Sequence, residues 1–567
     1  RHCLLQLACS HKFKIETGDV STAFLQGDKE EQNRDVYLEP TADLRERLNI
    51  TKEFLLKLTG SVYGLRNAPR AWYKRVRKDL EALGWRCHQL DQCVFLKYDG
   101  EELIGVCGVY VDDFIIAGKP NGKKWQTEKD KLKKLYKWGK WESDSFTLCG
   151  VSYHQKKDYS IVMDQQEFTR KLSTAEFNLP KNLYKINRKT KLDAAGLKSL
   201  RGINGSLQWL CTNSRLDLSA KVSLSASETA NPTIESLQKA NKIIRQAQRD
   251  DSLPIHIHSI SLDHLNFGVF SDAAWGVRPD GSSQGGYLIY ASSHALHQGE
   301  EAPVGIIEWK SWKLSRKCRS SLSAESQAMA DSVDVLNFVR LFFADCIHSK
   351  GIDMRRPDEV LRMLPKSCAI TDCKSLYDAL EKNESLGLGL SEKRTSIEVT
   401  ATRQQMRATG IDTRWVNSDR QLADVLTKPT APPAAIQRLL RTGRWKIVWD
   451  ATYTSAKNLR KAKREQHFKN QQTTVPLDDD ANVVVSADPF AQEQVNFVEE
   501  LSTESSQAAM QGRRGYARSS DSEHYEEVWL ESDSESLAQS ESLTVEQPAS
   551  EPTLASREPW HEPDAEP

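Results

Sequence analysis

The chain of 567 residues contains 11 cysteines, and no two of them are spaced as C-x-x-C. That absence excludes a zinc knuckle or finger, which needs thiolates paired at close spacing. Thiols scattered through a large chain suit a reducing, intracellular compartment rather than a disulfide framework. No apolar run approaches the ~20 residues of a membrane-spanning helix. The opening stretch RHCLLQLACSHKFK has too short an apolar segment for a signal peptide. Lysine is missing altogether after residue 470: residues 471–567 hold 22 Asp and Glu against 4 Arg, a net of −18.

What is present balances that deficit. The whole chain sums to zero, so residues 1–470 carry +18. A body that basic suits a polyanion such as nucleic acid, although scattered surface Lys and Arg kept for solubility would read the same way. The length exceeds what one hydrophobic core serves, so two or three domains and a tail are expected. The tail is rich in Ser and Glu, with little to bury, and reads as disordered over 471–567.

Within the first 160 residues, short β-like runs alternate with helical ones. Pro69 and Gly84 bracket a helix. Two strand candidates, 103–111 and 114–117, are joined through Asp112 and Asp113 in VYVDDFIIAG. Two adjacent carboxylates between apolar runs form the tip of a hairpin. Asp19, in FKIETGDVSTAFLQG, follows another strand. Burying unpaired carboxylates costs several kcal/mol, so a cation partner is needed. Paired Mg²⁺ ions ~3.5–4 Å apart, bridging carboxylates and phosphates, would supply it. An Asp pair also suits an ordinary turn.

A second acidic set is dispersed. Asp272 ends a strand in VFSDAAWG. Glu325 opens a helix in SLSAESQAMA. Asp372 ends a strand in AITDCKSL, and Asp424 lies in RQLADVLTKP. Intervals of 53, 47 and 52 residues mean that only a fold could gather them. Each alone is equally explained by helix capping or strand-end chemistry. Strands followed by alternating helix and strand argue a mixed α/β domain here. Residues 160–250 read as mostly helical, including the amphipathic stretch Thr233 to Arg249. Two basic segments, Lys119 to Trp141, which reads as one helix, and Arg438 to Lys469, could track a phosphate backbone or be solvated faces, the aromatics of the first then lying in the core.

The ordered blocks DVSTAFLQGD, SVYGLRNAPRAWYKRV and VYVDD resemble the reverse transcriptase of Ty1/copia-type LTR retrotransposons. SDAAW, SLSAES, DCKSL and QLADVLTKP resemble the RNase H domain that follows it in the same polyproteins. The resemblance implies an α/β (α+β) chain. It comprises a reverse-transcriptase palm over 1–160 and a mostly helical thumb or connection over 161–260. An RNase H-like mixed-sheet domain over 261–432, a basic linker over 433–470 and the acidic tail complete it. Residues 1–14 would be a remnant of the fingers.

The implied activity is RNA-directed DNA polymerase with RNase H. Asp19, Asp112 and Asp113 would hold two Mg²⁺ for polymerisation, and Asp272, Glu325, Asp372 and Asp424 two more for hydrolysis, with Mn²⁺ as a substitute. Tyr110 would pack at the primer end, and Phe24 would exclude a 2′-OH unless it is plain core. Asn67 and Pro69 would lie near template and dNTP. RNA template, DNA primer, RNA–DNA hybrid and dNTPs are the implied partners, together with other polyprotein products and no membrane. The implied setting is a cytoplasmic virus-like particle with nuclear entry.

Departures from the family pattern are visible. Asn67 stands where Gln is usual, and Ala274 replaces a second acid. Ser326 and Gln327 follow Glu325 in place of Ala and Glu, and Cys373 replaces Asn. Neither the D-[ST]-G of the protease nor the His/Cys pattern of the integrase occurs. Two alternatives stay open at this level: a catalytically decayed fragment that only binds nucleic acid, and a host protein with RNase H activity alone.

Overall fold

The computed structural model describes residues 1–27, 35–175, 188–381 and 390–448. These fall in one compact unit, Arg1–Phe468, and form three main sheets with helices packed between and around them. No helix among the described residues is long and apolar enough to cross a membrane. The acidic tail and the segment from 449 onward lie outside the described residues.

The first sheet is antiparallel throughout. Its order is Arg86–Cys87, Val94–Asp99, Glu102–Tyr110, Asp113–Gly118, Lys14–Val20 and Trp138–Ser143. The hairpin expected around VYVDDFIIAG is realised by the third and fourth of these strands. The helix Ala68–Ala82, with Pro in its first turn, lays Ala71, Trp72, Val76 and Leu80 onto this sheet. Two glycines, Gly105 and Gly118, face each other across the strands. Trp125 fills the space above both, and a Cβ on either would stand 2.1 Å from its ring.

Here the reading of Lys119 to Trp141 as one basic helix is corrected. The helix is Lys123–Lys133, and Trp138–Ser143 is the edge strand. Trp125 is buried, and Trp138 and Trp141 belong to the same core. The aromatics were placed for packing, and the lysines are left on the solvated side.

The second sheet is antiparallel in the order Ile255–Ile257, Ile161–Asp164, Val151–Gln155 and Ser145–Leu148. It crosses the expected boundary at 160. The segment 161–260, expected to be helical, begins and ends in strands of this sheet. Its interior is helical as expected: Ala194–Asn213, Ser219–Ser227 and Ile234–Arg249 share one apolar cluster. The last of these starts in a capping box between Thr233 and Ser236.

The third sheet is mixed, in the order Ile411–Trp415, Ser367–Thr371, Leu265–Ala274, Gln284–Ser293, Ala302–Lys313 and Arg444–Trp445. The first three strands run parallel and the rest antiparallel. The 27-residue helix Ser321–Ile347 lies against the central strand. The expected linker from 433 is folded through 448. The helix Ala434–Thr442 and the short strand after it bury Ile436, Leu439, Leu440, Trp445 and Ile447 against this sheet. An apolar stripe hidden among arginines overrides the segment's basic composition.

Residues 1–14, expected as a remnant, are well used. The helix His2–Ser10 buries Leu4, Leu5, Leu7, Ala8 and Cys9 in a core that continues to Ile447. His2 Nδ1 lies 3.0 Å from the Ile307 carbonyl, and Gln6 Nε2 donates to the His258 carbonyl at 2.9 Å. The first and third sheets therefore share this helix.

Candidate active sites

The first site forms where two strands bring acids to the same edge. Asp19 and Asp113 are cross-strand partners, so their side chains emerge on one face. Asp112 sits in the two-residue turn between Tyr110 and Asp113. Val111, the other turn residue, has φ 59°, a conformation that β-branched residues avoid. Two contacts hold it: the indole of Trp72 donates to the Val111 carbonyl at 2.6 Å, and Val20 N donates to the Asp112 carbonyl at 2.9 Å. The strained turn is thus pinned by a buried tryptophan of the helix behind it.

Asp19 is exposed beside Gly139, where an added Cβ would come within 2.9 Å of its Oδ2. The Asp113 carboxyl is pushed above the usual range, first by burial and then by Asp112 and Asp19; the Cys149 thiol donates to it at 3.6 Å and opposes this. Tyr110 is 64% exposed at the strand end. Phe24, half-buried in the turn Ala23–Gln26, packs against Tyr63 with ring centroids 4.8 Å apart and planes tilted by 45°. Asn67 and Pro69 are exposed at the start of the Ala68–Ala82 helix, and Asn67 makes no side-chain cap bond.

The second site follows from sheet register. Phe270 pairs with Ile370 in parallel strands, so Asp272 and Asp372, each two residues further on, emerge side by side. Asp424 begins the helical turn Asp424–Thr427, which packs on Gly286, the cross-strand partner of Asp272. Glu325 comes from the second turn of the long helix. Asp272, Asp372 and Asp424 each offer an oxygen, all within 4.8 Å of one another. Among the described residues this is the one set of three or more metal-competent side chains that converges so closely. The trio of the first site shares an edge without closing to that distance, and Glu325 stands outside the closed set.

Burial and mutual repulsion raise carboxyls of the second site even with the Lys428 ammonium among them. Asp272 is 0% exposed, and burial, against Lys428 and with help from Asp424 and Asp372, raises its carboxyl to about 7. Glu325, 7% exposed, is raised well above its ordinary value by burial and then by Asp272 and Asp372. Its Oε2 is buried with no hydrogen-bond partner. Four clustered carboxylates with an orphaned oxygen are a donor set that hard divalent ions such as Mg²⁺ or Mn²⁺ fit.

Supporting contacts were not anticipated from the sequence. Ser418 Oγ donates to Asp372 Oδ2 at 2.5 Å, Thr427 Oγ1 donates to Asp272 Oδ2, and Trp415 Nε1 donates to the Asp372 carbonyl at 2.9 Å. Lys428 Nζ lies 3.2 Å from Asp272 Oδ1 and 2.6 Å from Asp424 Oδ1. The i,i+4 spacing of Asp424 and Lys428 was the available signal.

Residues 2–187 match the family described as reverse transcriptase (RNA-dependent DNA polymerase). The Pol polyprotein of transposon RE1 from Arabidopsis thaliana is 26% identical over 445 residues, 76% of this chain and 27% of that protein. The chain is thus similar to Pol proteins of copia-type retrotransposons over about three quarters of its length. The TyH3 Gag-Pol polyprotein of Saccharomyces cerevisiae is 24% identical, over 78% of this chain and 24% of that protein. A putative transposon Ty5-1 protein of the same yeast is 28% identical over 51% of this chain and 94% of its own length. The chain thus spans about a quarter of the Pol polyproteins it matches. The family match takes in Asp19, Asp112 and Asp113. Likeness to RE1 over 445 residues necessarily reaches beyond it.

Proposed function

We propose that this copia-type Pol chain is an RNA-directed DNA polymerase joined to a ribonuclease H. In this reading the first sheet is the polymerase palm, the helices from 194 to 249 are the thumb or connection, and the third sheet with its long helix is the RNase H body. The observation that carries the nuclease half is the convergence of Asp272, Asp372 and Asp424 within 4.8 Å. The polymerase half is supported by the family match and by Asp19 facing Asp113.

Asp19, Asp112 and Asp113 would hold the metal ions of the first site, and Asp272, Glu325, Asp372 and Asp424 those of the second. When bound, such ions activate the attacking oxygen and neutralise charge on the phosphoryl group. The chain's own residues do the remaining work. Tyr110, exposed at the strand end, offers a ring face to the primer terminus. The Phe24–Tyr63 pair forms an apolar wall against a ribose 2′-OH. Trp72 keeps the turn aimed through the Val111 carbonyl. Ser418 and Thr427 fix the orientation of Asp372 and Asp272. RNA template, DNA primer, dNTPs and hybrid are the substrates.

One observation favours a second reading, in which only the nuclease works: the first trio does not close as the second does. Two assays on the purified chain decide. Oligo(dT) extension on poly(rA) should occur with Mg²⁺ and be lost in Asp112→Asn. Cleavage of the RNA strand of a labelled hybrid should be lost in Asp372→Asn alone. Cleavage without extension supports the nuclease-only reading. Hybrid retardation in a gel with neither activity would leave a nucleic-acid-binding fragment.

A further inference from the structure

The second site contains a cation of its own. The Lys428 ammonium lies between Asp272 and Asp424, at 3.2 and 2.6 Å from one oxygen of each. Two of the three converging carboxylates therefore each commit an oxygen to an ammonium. Mg²⁺ binds oxygen at about 2.0–2.1 Å in near-octahedral geometry, so an ion ligated by these two oxygens would compete with the ammonium that now holds them. The ammonium has an exit: the Lys428 side chain is 37% exposed, whereas the Asp272 side chain is buried.

We infer that Lys428 is a built-in competitor for divalent metal: its ammonium neutralises the carboxylate cluster until Mg²⁺ or Mn²⁺ displaces it outward, and it thereby sets the metal concentration at which the site loads. The inference rests on reading the cluster as a divalent-metal site. A mere positioning role is the opposite case. A lysine that only held Asp424 in place would assist metal binding, and its removal would weaken it. The two roles predict opposite signs.

Direct Mn²⁺ binding to the full chain, followed by calorimetry and by the loss of the free Mn²⁺ resonance signal, separates them. Lys428→Met keeps the stem and removes the charge, and should bind Mn²⁺ at least about tenfold tighter at the site that Asp372→Asn abolishes, because a like charge beside the ion is gone. Lys428→Arg keeps the charge and should remain near wild type; its comparison with Lys428→Gln stands in if the methionine variant does not fold. The melting temperature should also rise more on Mn²⁺ addition in Lys428→Met than in wild type. Equal or weaker binding by Lys428→Met, with the Asp372→Asn loss intact, overturns the inference and leaves the metal site standing. If wild type binds no Mn²⁺ that Asp372→Asn removes, the metal-site reading itself fails and the inference falls with it.

Discussion

Arg86→Met is the sharpest test of how the first and third sheets are joined. Arg86 sits on the outer strand of the first sheet and reaches the end of the long helix Ser321–Ile347. Its Nη1 donates to both oxygens of Asp345, at 3.1 and 2.9 Å, and its Nη2 donates to the Asp345 carbonyl at 2.6 Å. The Asp345 side chain is 0% exposed. Its other partners are weak: Gln89 N donates at 3.2 Å, and His88 Nε2 lies 3.4 Å away. Burial lowers the His88 pKa, so that ring is no substitute charge. Methionine would leave a buried carboxylate with only the weak Gln89 amide as a donor, a loss of the kind that costs about 3–5 kcal/mol, and the lower end applies because Arg86 itself is partly exposed. Urea unfolding followed by tryptophan fluorescence reads this, with limited proteolysis around residues 86–92 reporting the freed hairpin. Arg86→Met/Asp345→Leu removes both charges and should recover most of the loss. A single-variant change under about 1 kcal/mol, or a double variant no better than the single, would refute the account.

Three more outcomes are expected. Gly118→Ala drives a methyl into Trp125 at 2.1 Å and should cost about 1–3 kcal/mol or more in urea unfolding. Gly286→Ala would meet Leu426 Cβ and Thr427 Cγ2 at 2.7 Å. It should displace the turn that carries Asp424 and cut hybrid cleavage severalfold, leaving primer extension unchanged. Asp272 is raised to about 7 from an ordinary 3.8, so the folded state binds its proton more tightly than the unfolded state. Metal-free protein should therefore hold this contribution fully below pH ~4 and lose it as pH rises through ~7, a slope that Asp272→Asn should flatten in melting curves.

The sequence spoke clearly where a signal was local. The apolar runs on either side of Asp112–Asp113 and the Pro69–Gly84 bracket described a hairpin and a helix that the structure contains. The second sheet was not legible. Its strands are three to five residues long, and Ile161–Asp164 pairs with Ile255–Ile257 across some ninety residues, a partnership with no local signature. Trp138–Ser143 was misread because lysines mask an edge strand as helix. At the second site the four acids could be named but not their gathering, which depends on the Phe270–Ile370 register. Lys428 lay within the quoted QLADVLTKP block, yet nothing in its neighbours says that it turns inward.

The helix His2–Ser10 also has a practical consequence. A cut placed between residues 257 and 265, where composition alone would divide the chain, would strip its apolar flank of the Ala302–Lys313 strand that covers it. Each piece made by itself should then aggregate or stay swollen, while pieces mixed during refolding should find each other. Whoever wishes to test the two acidic sites of this chain separately should do it by substituting acids, leaving the backbone whole.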